Sequence, residues 1–375
     1  MSKSHKKTIA IVINTSWNIY NFRVGLLKAL QKEGYKIVAI APKDNFSHKL
    51  EELGFEYYEI KMNNKGTNPF EDLKLMADFY TLFKRIKPDV TLHYTIKPNI
   101  YGTLAASLAG VPVINNVSGL GTVFLDEKLS SKIARELYRF TFQFSKKVFF
   151  QNNYDRALFT ESGFVDPAKT DRLPGSGIDT NKQIPLHHSI ANKDIRFLFV
   201  ARLLKDKGLV EYVDAARIIK AKYPNVEFDV LGPYYHGNPS AITDQEIGAW
   251  QKEGVITYLG ASDDVENVIS HTDCVVLPSY REGLSRVLLE ASIMAKPIIT
   301  TDVPGCRELV DDGFNGFLCS VKDSIDLAEK MELMLLLEDI ERINMGLHGR
   351  QKIIDEFDEK IVIDKYKEAI NSILN

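Results

Sequence analysis

Cysteine is scarce in this chain, with three among 375 residues. Cys274, Cys306 and Cys319 are scattered and form no C-x-x-C pair, so neither a zinc site nor a disulfide framework is suggested. The sparse usage fits a reducing compartment. Long apolar runs are missing as well. No stretch approaches the ~20 apolar residues of a membrane span. The apolar run after the basic start MSKSHKKTIAIVI is too short for a secretory signal, so any membrane contact is expected to be peripheral. The first strand–helix junction has no G-x-G-x-x-G, which argues against a dinucleotide-dependent hydride transfer. There is no close carboxylate pair of the kind that cleaves glycosidic bonds.

What is present is an ordinary globular composition, 45% apolar and 26% charged, on a chain long enough for two or more cores. The net charge of -3 conceals an imbalance. Residues 1–190 hold 26 Lys/Arg against 18 Asp/Glu, and the acidic excess lies in the rest. The basic half suggests an anionic partner; ordinary surface variation is the competing reading.

Apolar strand patterns alternate with helical ones from TIAIVI at 8–13 to VPVINNV at 111–117, and the alternation restarts at RFLFVAR, 196–202. That predicts α/β architecture: two doubly wound Rossmann-like domains facing one another, each a mostly parallel sheet with helices on both faces. The polar, irregular QIPLHHSIANKD marks a linker at 183–195 between domains 1–182 and 196–355, with 356–375 a C-terminal helix expected to pack back on the first. Ligands of such sheets bind beyond the carboxyl ends of the strands, so both domains are expected to present loops to a cleft.

Two constellations carry chemistry. In LPSYREGLSRVLLEA, 277–291, a strand ends at Pro278, a loop carries Glu282 and Gly283, and a helix starts near Ser285. Free N–H groups there suit a phosphate, and Gly283 allows close approach. Glu282 suits sugar hydroxyls, and Glu290 suits a second polyol. Equally, Glu282 reads as a helix cap and Glu290 as a solvated helix residue. In VARLLKDKG, Arg202 and Lys207 follow a strand, where two cations can bracket a diphosphate and neutralise charge on a leaving group without a metal. A pair of surface cations is the alternative. No D-x-D is present, and neither metal nor cofactor is expected.

Those residues resemble glycosyltransferase family 4, retaining enzymes of the two-domain B-type (GT-B) fold. The family's glutamates separated by seven residues match Glu282 and Glu290; its arginine and the lysine of K-G match Arg202, Lys207 and Gly208. LPGSGIDT at 173–180, VITYLG at 255–260 and the segment 304–318 match as well. The resemblance implies that Glu282 contacts the donor sugar and Glu290 the ribose. It implies that Arg202 and Lys207 bind the diphosphate, with backbone contacts from Gly283, Leu284 and Ser285, and it adds Asn18 and Gly260 to the donor-binding set. The resemblance implies that domain 1–182 binds the acceptor and domain 196–355 the nucleotide sugar, although NTSWNIYNFR at 14–23 departs from the paired glycines of many relatives. The family histidine beyond the fourth strand has its counterpart in His93, which falls inside the strand and reads as a core residue or a functional one. TIKPNIYG at 95–102 with VSGLG at 117–121 resembles a subgroup that builds capsules, O-antigens and lipid-linked oligosaccharides, including addition of N-acetylgalactosamine to undecaprenyl-diphosphate-linked bacillosamine.

LSSKIARELYRFTFQFSKK, 129–147, interleaves Lys132, Arg135, Arg139, Lys146 and Lys147 with Ile133, Leu137, Tyr138, Phe140, Phe142 and Phe144, against the single acid Glu136. Such a helix can rest on an anionic membrane surface; a helix packed on the sheet with solvated cations is the other reading. The resemblance implies a cytoplasmic enzyme, peripheral on the inner face of the cell membrane. Its partners would be a UDP-sugar such as UDP-N-acetylgalactosamine and an undecaprenyl-diphosphate-linked saccharide, with no nucleic acid. Rival expectations are a same-fold soluble transferase with a small acceptor and a non-catalytic nucleotide-sugar-binding scaffold.

Overall fold

The computed structural model describes residues 6–63, 68–120, 129–181 and 195–375. Residues 183–194 of the expected linker and Gly121 of VSGLG lie outside the described residues. The chain forms two compact units, one of residues 1–179 with 359–375 and one of 180–358.

In the first unit, strands β1 (Thr8–Val12), β2 (Lys36–Ala41), β3 (Glu56–Glu59), β4 (Val90–Tyr94), β5 (Val113–Val117), β6 (Lys147–Phe150) and β7 (Thr170–Arg172) form one sheet in the order β3-β2-β1-β4-β5-β6-β7. Every neighbouring pair is parallel. All of β1 is buried. Ile9, Ile11 and Ile13 join one apolar cluster and Ala10 and Val12 another, because successive side chains of a strand point to opposite faces and both faces are covered. One cover is the helix Pro69–Ile86, started by Asn68, whose side chain accepts from the Phe70 N–H, and by a proline at its first turn. The helix Glu359–Leu374 buries Val362, Tyr366, Ala369 and Ile370 in the cluster on the opposite face.

In the second unit, β8 (Arg196–Val200), β9 (Glu227–Leu231), β10 (Thr257–Tyr258), β11 (Cys274–Leu277), β12 (Ile298–Thr301) and β13 (Gly316–Cys319) are also wholly parallel, ordered β10-β9-β8-β11-β12-β13. Phe197 stacks on Phe228 at 5.4 Å beneath the helix Leu209–Lys222, whose Tyr212 packs edge-on to Phe228. Each unit is thus α/β with a parallel sheet flanked by helices, as expected from the sequence.

Several elements differ from the sequence reading. NTSWNIYNFR is not all loop: a helix spans Ser16–Phe22, capped by the Thr15 side chain. The helical pattern IYGTLAASLAG, 100–110, is an α-helix only over Thr103–Ala109, and the turn ahead of it, Pro98–Gly102, is a π-helix. The apolar helix pattern at 129–147 ends at Thr141 and continues as one 3₁₀ turn, Phe142–Phe144. A helix at Asp244–Glu253, with a Thr243/Glu246 capping box, fills a stretch that has no strong apolar period.

Candidate functional site

In the second unit the strand order reverses between β8 and β11, which pair with each other. The loops leaving such a junction diverge and leave room for a ligand at the carboxyl edge. One loop carries Arg202 and a 3₁₀ turn, Lys205–Lys207, and ends at Gly208. The other carries Ser279 to Ser285 into the helix Arg286–Ile293. Gly208 has φ +79°, and a Cβ there would strike the Pro278 carbonyl, so only glycine lets the two loops touch. Tyr280 N–H donates to the Asp206 carbonyl at 2.9 Å, while Glu282 N–H donates to the Pro304 carbonyl at 3.1 Å and Ser285 N–H to that of Gly305 at 2.9 Å. The loop is therefore stitched on both sides. Gly305, at φ +85°, is pressed against the Glu282 backbone where any Cβ would clash.

These bonds aim Glu282 at Lys207. Lys207 Nζ lies 2.5 Å from Glu282 Oε1, with both side chains only 14% and 15% exposed. Ser279 Oγ donates to the same carboxylate oxygen at 2.8 Å. Glu282 therefore does not cap the following helix, whose N-cap Ser285 makes no side-chain cap bond. Glu290 is not a solvated residue either: it is paired with Arg286 at 2.8 Å, and its side chain is 20% exposed. Arg202 is exposed and lies over the Tyr235 ring at 5.0 Å. Gly260 accepts from Gly232 N–H at 2.8 Å, beyond the carboxyl ends of β9 and β10. Gly283 and Leu284 are half-buried between Glu282 and the helix start.

Reading the sequence overlooked three contributors. Ser279 orients Glu282; Tyr280 O–H donates to Glu211 Oε1 at 2.6 Å; Tyr235 supports Arg202. The first two stand in LPSYREG, next to residues already singled out. Cys306 is fully buried, and burial, with Glu282 nearby, raises its thiol well above the usual range, so it stays protonated and is no nucleophile. Among the described residues no group of three His, Cys, Asp or Glu side chains could hold a metal ion.

The first unit holds the other two flagged residues. Asn18 sits in the first turn of Ser16–Phe22, where its N–H is taken by Thr15 Oγ1 at 3.2 Å and its buried Oδ1 finds no hydrogen-bond partner among the described residues. His93 is fully buried, its Nδ1 3.3 Å from Thr103 Oγ1, and burial lowers its pKa to about 3. The ring stacks on Phe83 at 5.9 Å, the packing of a core residue, while its buried Nε2 finds no hydrogen-bond partner among the described residues.

Residues 8–152 match the model for "Glycosyl transferase 4-like" proteins and residues 181–352 that for "Glycosyl transferases group 1". Over 382 residues the chain is 27% identical to the N,N'-diacetylbacillosaminyl-diphospho-undecaprenol alpha-1,3-N-acetylgalactosaminyltransferase of Campylobacter jejuni, covering 98% of this chain and 99% of that protein. It is 26% identical to the UDP-Gal:alpha-D-GlcNAc-diphosphoundecaprenol alpha-1,3-galactosyltransferase of Escherichia coli, covering 81% of each. Among solved structures, Anabaena HepE in complex with UDP and glucose superposes with a TM-score of 0.79 at 20% identity, over 98% of this chain and 100% of that one. The fold, the paired loops and these matches define a glycosyltransferase of the GT-B fold. The chain belongs to the group 1 glycosyl transferases, family 4.

Proposed function

We propose that the protein is a retaining transferase that moves a hexose or N-acetylhexosamine from a UDP-sugar, UDP-N-acetylgalactosamine or a similar donor, to a hydroxyl of a polyprenyl-diphosphate-linked saccharide. The observation that carries this is the Lys207–Glu282 pair at the strand-order reversal of the second unit, beside a helix start with no side-chain cap. Lys207 and Arg202 bind the diphosphate and neutralise the charge that grows on it as the sugar leaves. Glu282 accepts from the sugar hydroxyls, and Glu290 accepts from the ribose once Arg286 yields one oxygen. Gly283 and Leu284 offer backbone N–H groups to phosphate and sugar beside Ser285 at the helix start, and Gly260 completes the donor contacts within the second unit. The acceptor hydroxyl attacks the anomeric carbon from the face the diphosphate leaves, and its proton passes to a diphosphate oxygen.

A lipid-linked acceptor keeps its tail in a bilayer, and the helix Leu129–Thr141 with its following turn supplies a docking face at the cytoplasmic surface. Tyr138 and Phe142 are core residues, whereas Ile133, Phe140 and Phe144 are exposed beside exposed Lys132 and Lys146. No helix among the described residues is long and apolar enough to cross a membrane.

Thermal unfolding against a panel of UDP-, GDP- and dTDP-sugars tests the donor assignment. A ligand present at about 100 times its Kd stabilises by ~2.7 kcal/mol. UDP and one UDP-sugar are expected to raise Tm by several degrees, with the GDP and dTDP analogues inert. A shift with GDP-sugars alone would falsify the donor assignment.

A further inference from the structure

The helix Arg286–Ile293 buries Leu288, Leu289, Ala291, Ser292 and Ile293 and leaves Arg286, Val287 and Glu290 half-buried. Residues four apart share a helix face, and on that face Arg286 Nε donates to Glu290 Oε1 at 2.8 Å, with the side chains 30% and 20% exposed. The order of this pair is the less favourable one for a helix. A cation in the first turn opposes the helix dipole, and an acid is better placed before its basic partner than after it. Nothing in the helix offsets this: its first turn holds no acidic residue, and its N-cap Ser285 makes no side-chain cap bond. The helices Leu209–Lys222, Asp244–Glu253 and Ser324–Leu336 of the same unit each carry an acid there, Glu211, Asp244 and Asp326. Helix stability therefore gives no reason for an arginine at 286. Its contact with Glu290 does.

A carboxylate is an acceptor only, and the two neighbouring hydroxyls of a ribose are donors that suit it. A glutamate that swings in water must give up its rotamer freedom to meet them. The guanidinium fixes the side chain in advance: it keeps Oε1 and leaves the other oxygen to turn toward hydroxyls. A carboxylate held in this way also discriminates. Against a sugar with no O–H to give, it would lose water and gain no partner, so a site built to accept from hydroxyls rejects the analogue that lacks them. A loose glutamate would turn back to solvent and discriminate less.

We infer that Arg286 is a positioning residue that acts through Glu290 and makes the site select ribonucleotide donors over their deoxyribose counterparts. The inference rests on the reading of Glu290 as the ribose contact. The test is calorimetric titration of the full chain with UDP, 2′-deoxy-UDP and 2′,3′-dideoxy-UDP. Wild type is expected to bind UDP about tenfold more tightly than the dideoxy analogue, with 2′-deoxy-UDP between them. Arg286→Met keeps the aliphatic stem and removes the guanidinium. It is expected to weaken UDP about tenfold and to leave the dideoxy analogue within about twofold of wild type. Arg286→Lys, which returns a cation, is expected to recover most of the loss. In a Glu290→Gln background, Arg286→Met is expected to cost nothing further, because the partner it acts through is already gone. The inference is overturned if Arg286→Met binds UDP as wild type does, which would leave an ordinary surface pair. It is overturned equally if that variant weakens UDP and the dideoxy analogue alike, which would put the guanidinium on the diphosphate or make it a support of the helix alone, or if it adds a loss to Glu290→Gln. Wild type that binds UDP with no preference over the dideoxy analogue would overturn the ribose reading of Glu290 and this inference with it. Wild type that binds no UDP would overturn the donor reading itself.

Discussion

Lys207 and Glu282 hold each other at 2.5 Å where each is mostly withdrawn from water, so neither is a neutral place to mutate. Truncating one partner of a buried pair costs about 3–5 kcal/mol, and the remaining exposure of this pair lowers that figure. Lys207→Ala is therefore expected to lose about 1–2 kcal/mol of stability in urea unfolding as well as turnover. Arg202→Ala, at an exposed site, is expected to lose turnover about 100-fold with stability unchanged. Glu282→Gln keeps acceptor geometry for Lys207 and Ser279, so transfer is expected to fall about 100-fold while UDP affinity stays within about twofold. Glu290→Gln is expected to weaken UDP itself about tenfold. Calorimetric titration with UDP separates the two, and equal losses would refute the division of labour between sugar and ribose. The residue types and their loops were legible in the sequence because VARLLKDKG and LPSYREG each end an apolar strand pattern. Their meeting was not. Lys207 and Glu282 are 75 residues apart, and their contact depends on β8 lying beside β11, which local pattern does not encode. His93 shows the converse: it stood within an apolar strand pattern, and the structure buries it completely.

At the level of elements, the basic aromatic segment divides into a packed face and a free one. Tyr138 meets Phe142 and Phe159 edge-on at 5.0 and 5.5 Å, so these rings belong to the fold. Arg139 is engaged by Glu136 at 2.9 Å and lies over Phe164 at 5.1 Å, which removes it from the cations free to meet a membrane. Phe140 and Phe144 stack edge-to-face at 5.5 Å on the exposed side. Replacing Ile133, Phe140 and Phe144 with serine, together with Lys132→Gln and Lys146→Gln, is expected to abolish co-sedimentation with anionic vesicles. Wild-type binding is expected to weaken in 1 M salt as screening shortens from ~8 to ~3 Å. Activity on a long polyprenyl acceptor is expected to fall more than activity on a short soluble analogue. If the variant pellets as wild type does, that face has another role. Composition revealed the mixture of cations and rings here, but sorting it required knowing which face β6 and the helix Asn153–Glu161 cover. The helix Asp244–Glu253 was missed for a related reason: it buries only Ile247, so its capping box and the closing Gly254 were the sequence signals on offer.

On the scale of the whole molecule, the last helix belongs with the first residues. Glu359 N–H donates to the Ile178 carbonyl at 2.9 Å, tying the returning chain to the outgoing one. Tyr366 then lies between Tyr94 and Phe149 and accepts from Asn116 Nδ2 at 3.0 Å. Each large apolar side chain on this helix contributes about 1.5–3 kcal/mol by burial. Deleting residues 359–375 is expected to abolish the cooperative unfolding of the first unit. The second unit is expected to keep its own transition, still raised by UDP; two intact transitions after the deletion would contradict the division of the chain into these units.

That return also sets a timetable for the chain's birth. Domains generally mature in the order they leave the ribosome, the amino-terminal one first. Here every strand of the earlier sheet has been made long before one of its covering helices, which is spelled out only at 359–375. The later-made unit, complete by residue 358, can settle while its predecessor still waits with part of one apolar face of its sheet uncovered. A nascent chain that has not yet released residues 359–375 would therefore hold an amino-terminal unit still short of one covering helix, a natural point for a chaperone to hold it.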